Sequence, residues 1–306
     1  MPIPTSRTNT IGEVIIDIEK CSGCGECVEV CKDFNLEIVD GKVQKSANSL
    51  FGCIACGHCA AICPNKAIWI EGRYLSHNDI FPLPEKSESA EYNALFSMLK
   101  RRRSIREFKD KPVNREIIDK IIAVAQTAPM GIPPSDVHLL VFDTKEKVNA
   151  FTHDYSLYLN NLKWMSSKWF MMFMRPFWGK AMDELMKSFF KPLFKIFAGG
   201  IHDKPNMITY DAPLAIYFYS TPYADYADPI VAATYAMLAG ESLGLGTCLL
   251  GAIHPFIQNG SKARKFRQKW GIKHASKGGI FVNFGYPDVN YKQGIKRSFA
   301  AVDFVR

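Results

Sequence analysis

The chain has 306 residues, 47% of them hydrophobic and 22% charged, which suits one small and one medium domain and excludes a globally disordered chain. Its net charge of +8 is uneven: residues 1–75 hold seven Lys/Arg against nine Asp/Glu, or −2, so the remainder carries +10. No nucleic-acid motif accompanies that charge and no uncharged apolar run is long enough to span a bilayer. The opening MPIPTSRTNT lacks the apolar stretch of an export signal, so a cytoplasmic address is expected and nucleic acid is not expected as a partner.

Eight of the nine cysteines lie between Cys21 and Cys63, in two groups: Cys21, Cys24, Cys27, Cys31 and then Cys53, Cys56, Cys59, Cys63. Each group reads C-x2-C-x2-C-x3-C, and each member of the second follows its counterpart by 32 residues, an internal repeat. Three cysteines at steps of three wrap one loop around an iron–sulfur cubane, while the fourth is carried onto the next helical turn and serves the other cluster. The spacing therefore predicts one [4Fe–4S] cluster on Cys21, Cys24, Cys27 and Cys63 and a second on Cys53, Cys56, Cys59 and Cys31. Zinc, which favours separated pairs or histidine, fits less well, and disulfides do not suit a chain without an export signal. Gly25, Gly52 and Gly57 let the backbone approach the clusters, and His58 is read as solvent-facing. Leu36–Val39, Asp40-Gly41 and Lys42-Val43 read as a hairpin with a type I′ turn, and residues 67–70 as a further strand. Residues 12–75 resemble the bacterial two-cluster ferredoxins, including the Cys63-Pro64 ending; Cys31 is followed by Lys32 instead.

Residues 76–90, SHNDIFPLPEKSESA, read as a linker, and the domain boundary is drawn between 81 and 82. Beyond it, an amphipathic helix is predicted over 91–103 and a second one from Asn114, ending before Pro129. Val137–Phe142, Leu214–Ser220 and 279–284 read as buried strands. Asp228-Pro229 opens a helix, with Asp228 as its cap, that runs to Leu243 and stops at Gly244. Helices alternating with strands indicate a layered domain, so the whole chain is assigned to the α+β class.

Four segments in order carry a second resemblance: KRRRSIREF at 100–108, TAPMGIPPSDVHLLVF at 127–142, GLGTCLLGAI at 244–253, and FGYP with GIKRSF at 284–299. Residues 92–306 resemble the nitroreductase family of FMN enzymes, an α/β sandwich here interrupted by a helical insert at about 155–206. The resemblance implies FMN as cofactor, with Arg102, Arg103, Ser104, Lys296 and Arg297 at its phosphate and Arg106 at the N1/O2 edge. It also implies that Pro129, Met130, Gly131 and Pro133 lie along the ring and that Leu249, Leu250 and Gly251 face N5. The family's asparagine is replaced at Pro133, and its glutamine at Ser135, so backbone groups or a different side chain must supply the bonds to the pyrimidine edge. Cys248 is read as a structural thiol. The family also implies a homodimer.

Residues 161–200 hold six methionines, ten aromatics and seven Lys/Arg. The preferred reading is helices packed on the core or the dimer partner; a lid and a helix on a membrane surface are the others. Together these readings predict a reductase. Electrons pass from an external low-potential donor of the ferredoxin type through the clusters to FMN, or from NAD(P)H directly at the flavin face, and on to a small flat acceptor, nitroaromatic or quinone-like. The alternative is an electron-transfer or redox-sensing flavoprotein serving a protein partner. No catalytic acid or base stands out: Tyr210, His254 and Tyr286 are candidates that are more often structural.

Overall fold

The computed structural model describes residues 11–73, 75–131, 135–198 and 206–305. Its first part runs β1 (Glu13–Ile16), α1 (Glu26–Val30), β2 (Leu36–Val39), β3 (Lys42–Lys45), α2 (His58–Ile62) and β4 (Ile68–Glu71). β2 and β3 form the expected antiparallel hairpin. Asp40 and Gly41 both take positive φ, 50° and 73°, as a type I′ turn demands. β4 pairs antiparallel with β1.

The 32-residue repeat is written into the backbone as well as the cysteines. α1 and α2 are offset by 32, as are β2 and β4. Left-handed residues recur at the same offset: Gly23 and Ala55, Gly25 and Gly57, Phe34 and Lys66, Asp40 and Gly72, Gly41 and Arg73. The buried core of this unit is small: Val14, Leu36, Val43, Ala55, Ile68 and Ile70 with Ala67 and three of the cysteines. A unit of four-residue strands and five-residue helices buries too little to be secure on apolar area alone.

Residues 79–91 are all exposed. Ser76 caps the turn His77–Asp79 while Asp79 returns the bond. Then come α3 (Tyr92–Arg101), α4 (Arg115–Gln126), β5 (Val137–Phe142), α5 (Lys145–Asn160), α6 (Lys168–Leu185), α7 (Lys191–Phe197), β6 (Leu214–Ser220), α8 (Asp228–Ser242), β7 (Gly246–Leu250), α9 (His254–Gln258), α10 (Ser261–Lys269) and β8 (Gly279–Gly285). The four strands form one antiparallel sheet in the order β5-β6-β8-β7.

β6 is buried along its whole length and divides the two cores by its two-residue period. Leu214, Ile216 and Phe218 face α4 and α8 with Ile121, Ala233 and Phe284. Ala215, Tyr217 and Tyr219 face α5, α7, α9 and α10 with Phe151, Phe194 and Phe281. Helices therefore cover both faces of the sheet, the layered arrangement expected.

Two expectations are corrected in detail and two further findings stand beside them. β5 has the expected bounds but only Phe142 is buried, because β5 is an edge strand paired to β6 alone. Asp228 is not the cap of α8; Ala227 is, and Asp228 sits in the first turn. α3 contains no buried residue. Tyr155 and Leu159, at the start of the expected insert, are fully buried parts of α5. Residues 199–205, at the far end of the insert, lie outside the described residues.

Candidate functional site

The eight cysteines lie in two neighbouring sets. One cavity is lined by Cys21, Cys24, Cys27 and Cys63, with Ile16, Val43, Ala67 and Ile68 closing it. Cys63 comes from the end of α2, so the second half supplies the fourth thiol of the first loop. Burial pushes the Cys27 thiol up, and the neighbouring Cys63, Cys24 and Cys21 push it further. The other set is reciprocal: burial pushes Cys59 up to about 12, reinforced by Cys53, Cys56 and Cys31. Four mutually repelling thiolates in an apolar pocket are costly unless a cationic core neutralises them, and an iron–sulfur core does so.

Backbone N–H groups already point at the sulfurs: Ala67 N–H donates to Cys63 Sγ at 3.2 Å and Ala55 N–H to Cys53 Sγ at 3.4 Å. Gly23 has φ 75°, and a Cβ there would overlap the Gly41 carbonyl, which is why the first loop needs glycine. Among the described residues no three His, Cys, Asp or Glu converge as ligands of a single ion would. His58 is exposed, as expected.

The second site forms where residues 102–106 run beside β7. Ser104 bridges Thr247, and Ile105 N–H donates to the Thr247 carbonyl at 2.9 Å. Ile105 fills the space a side chain on Gly246 would take. Alternation along this extended stretch carries Ser104 and Arg106 to Cys248. Burial pushes the Cys248 thiol up, against the pull of Arg106 and Arg102 and hydrogen bonds from Arg106 and Ser104. The Arg106 guanidinium lies 5.7 Å from the Tyr210 ring centroid. Arg103 points elsewhere: its Nη1 donates to the Lys100 and Arg102 carbonyls at 2.8 and 2.7 Å, closing the end of α3. It lines a cavity of about 520 Å³ with Glu241, Tyr291 and Gly294.

Leu249 and Gly251 are exposed beside this cationic stretch, while Leu250 is buried. A Cβ on Gly251 would meet open space, so a flat ligand has room against the end of β7. Lys296 and Arg297 lie on exposed irregular chain shortly after Gly294, beside which the Arg103 guanidinium sits.

Pro129, Met130 and Gly131 are not part of this gathering. Gly131 N–H donates to Asp228 Oδ1 at 2.9 Å, at the start of α8. Residues 102–106 meet the other end, where Glu241 accepts from Thr247 Oγ1 at 2.8 Å. The 15 residues of α8 separate the two groups by about 20 Å at 1.5 Å per residue. Pro133 lies outside the described residues.

Asp228 and Glu241 are the two residues that sequence reading missed in these roles. Burial holds the Glu241 carboxyl above its usual range, opposed by the Thr247 hydroxyl and Arg102. An acid at the C-terminal end of a helix, against the dipole, was the one signal available. Of the candidate proton donors, His254 is buried behind β8, its Nδ1 2.7 Å from the Tyr217 hydroxyl, and burial lowers its pKa from 6.5 to about 4. Tyr286 lies under Lys111. Only Tyr210 stands at the cationic stretch.

Comparison with known proteins finds one family model in each part of the chain. Residues 99–286 match the model of the nitroreductase family, and residues 13–64 match that of a 4Fe-4S dicluster domain. Over 60 residues the chain is 40% identical to an uncharacterized ferredoxin of Methanocaldococcus jannaschii, covering 19% of this chain and 78% of that protein. A solved nitroreductase with bound FMN from Bacteroides fragilis is similar at a TM-score of 0.50 and 16% identity, covering 69% of this chain and 98% of that one. Another from Desulfitobacterium hafniense, also with bound FMN, gives 0.49 and 18% over 69% and 98%. At such identities the likeness is one of fold.

Proposed function

We propose that this chain, which belongs to the nitroreductase family and carries a 4Fe-4S dicluster domain ahead of it, is an iron–sulfur FMN reductase. The boundary between the two parts falls near residue 82, in the exposed stretch after the Ser76 turn. The observation that carries the reading is the convergence of Arg102, Ser104 and Arg106 beside the open end of β7, downstream of two four-thiol sets.

When bound, the clusters supply one-electron transfer and the flavin couples single electrons to two-electron reduction. The chain's own residues do the rest. Arg102 and Ser104 hold a phosphate, with Lys296 and Arg297 closing over it from the C-terminal segment. Arg106 stabilises negative charge at the pyrimidine edge. The backbone of Leu249–Gly251 orients the ring, and the Tyr210 hydroxyl is the one candidate at the site to hold a proton. The acceptor is a small flat molecule, nitroaromatic or quinone-like, and the donor a ferredoxin-type carrier or NAD(P)H.

Pro129–Gly131 and residues 102–106 of one chain stand about 20 Å apart along α8, too far to flank the same edge of one ring. The reading is a homodimer in which each flavin takes its phosphate site from one chain and residues 129–131 from the other. α3, without a buried residue, and the exposed Phe299, Phe304 and Val305 supply apolar surface for that contact.

The test is iron, acid-labile sulfide and released flavin on protein purified without oxygen. About eight irons, eight sulfides and one FMN per chain are expected. Iron without flavin would overturn the reading and leave an electron carrier joined to a domain of other function.

A further inference from the structure

Helix α6 is apolar on both sides. Its first 11 residues, 168–178, run about three turns before Gly179, at φ 72°, breaks the helix. The inner side is Phe170, Met171, Met174 and Trp178: Met171 is buried and the others are half-buried. Phe170 makes edge contacts to Trp164 at 4.8 Å and Trp178 at 5.8 Å. The outer side is Trp169, Met172, Phe173 and Phe177, exposed at 79%, 63%, 69% and 74%. At 100° per residue these four form one continuous arc, and Lys168 and Arg175 fall together on its flank. An amphipathic helix in a soluble domain shows water its polar side; this one shows water a second apolar side.

The charge around that side selects its occupant. Over residues 161–198 there are seven Lys/Arg against Asp183 and Glu184. Asp183 is buried and already paired with Lys187 at 2.7 Å and Arg175 at 3.4 Å. A second copy seated on this side about a two-fold axis would set cations against their own equivalents. Aromatic residues flanked by lysines match the boundary between headgroups and acyl chains of an anionic bilayer. Among the described residues no helix is long and apolar enough to cross a membrane, so the contact is one that lies on the surface.

We propose that the outer side of residues 168–180 docks this protein on anionic lipid membranes, with Trp169, Met172, Phe173 and Phe177 entering the interface and Lys168 and Lys180 meeting lipid phosphates. This does not rest on the identity of the flavin or its acceptor.

The test is co-sedimentation of the cluster-loaded full chain with phosphatidylcholine vesicles, with and without about 30 mol% phosphatidylglycerol. Binding to the anionic vesicles only is expected, weakened by roughly 0.5 M salt. Trp169→Ser/Phe173→Ser/Phe177→Ser should reduce it about tenfold or more. Lys168→Glu/Lys180→Glu, which leaves the apolar arc intact, should reduce it similarly and decides the matter if the first variant loses its iron. A parent chain that stays in the supernatant overturns the proposal, as does a triple variant that sediments like the parent. A triple variant that turns from dimer to monomer, while the parent ignores vesicles, assigns the face to a second copy instead.

Discussion

His254 shows how one buried side chain sets a pH dependence. Its pKa lies near 4 in the folded chain against an ordinary 6.5. Between those values the unfolded chain binds a proton that the folded chain refuses. Stability is therefore fully present above pH 6.5 and falls as pH drops towards 4, by roughly 3 kcal/mol in all. His254→Gln should flatten this window: urea unfolding at about pH 7.5 and about pH 5 should show a smaller loss in the variant than in the parent. An equal loss would place the dependence elsewhere.

Asp228 acts at longer reach, since its carboxylate accepts from Gly131, 97 residues away in sequence. Asp228→Ala should cost about 1.5–3 kcal/mol in chemical unfolding. It should also loosen the turn that is proposed to border the flavin. If flavin affinity is unchanged while stability falls, the turn does not touch the ring. Neither pairing was legible beforehand, because a residue such as Asp228 reads locally as a helix cap and nothing local announces a partner so distant. The same limit hid the direction of Arg103: five basic residues between Lys100 and Arg106 look alike until alternation sends Ser104 and Arg106 one way and Arg103 back onto its own helix.

Elements were far more legible than contacts. In the proposed assignment the cysteine spacing sets the partners, since a three-residue step closes a loop and the extra residue before the fourth cysteine sends it across. That exchange yields a sharp expectation. Cys63→Ser, although it lies in the second half, should strip the cluster of the first loop, and Cys31→Ser that of the second. Each variant should retain about four irons, and spectra of the two survivors should differ. Loss of all iron from either variant would mean that the two loops fold only together.

β6 and β8 were readable because a nearly continuous apolar run bounded by turn residues, broken in β8 by Asn283, is what a strand covered on both faces requires. β5 has a similar composition but is only half-buried apart from Phe142, because edge position depends on strand order, and strand order is set by chain crossings that no short window contains. α3 was legible as a helix and illegible in its surroundings, because its apolar side finds no burial within one chain.

At the scale of the whole molecule, the proposed dimer-spanning site can be tested by complementation. One chain would carry Arg102→Ala/Ser104→Ala, the other Gly131→Glu, each expected to lose flavin as a homodimer. In the mixed dimer one site inherits both defects and the other neither. Flavin should therefore return to about half of the sites. No recovery would mean that each chain holds its own flavin.

The insert also has a meaning for how such a chain can change. β5 and β6 are antiparallel neighbours, a relation that a two-residue turn can close. Here residues 143–213 close it instead. Because loop-closure entropy grows only with the logarithm of length, that enlargement costs roughly 3 kcal/mol, and the packing of Phe151, Tyr155 and Phe194 offsets it. The stretch between Asn160 and Leu193 is thus a hairpin loop grown large, free to lengthen, shorten or acquire a new surface while the sheet beside the proposed flavin site keeps its register. Descendants of one ancestral frame could differ widely there, and a chain trimmed through α6 should still fold.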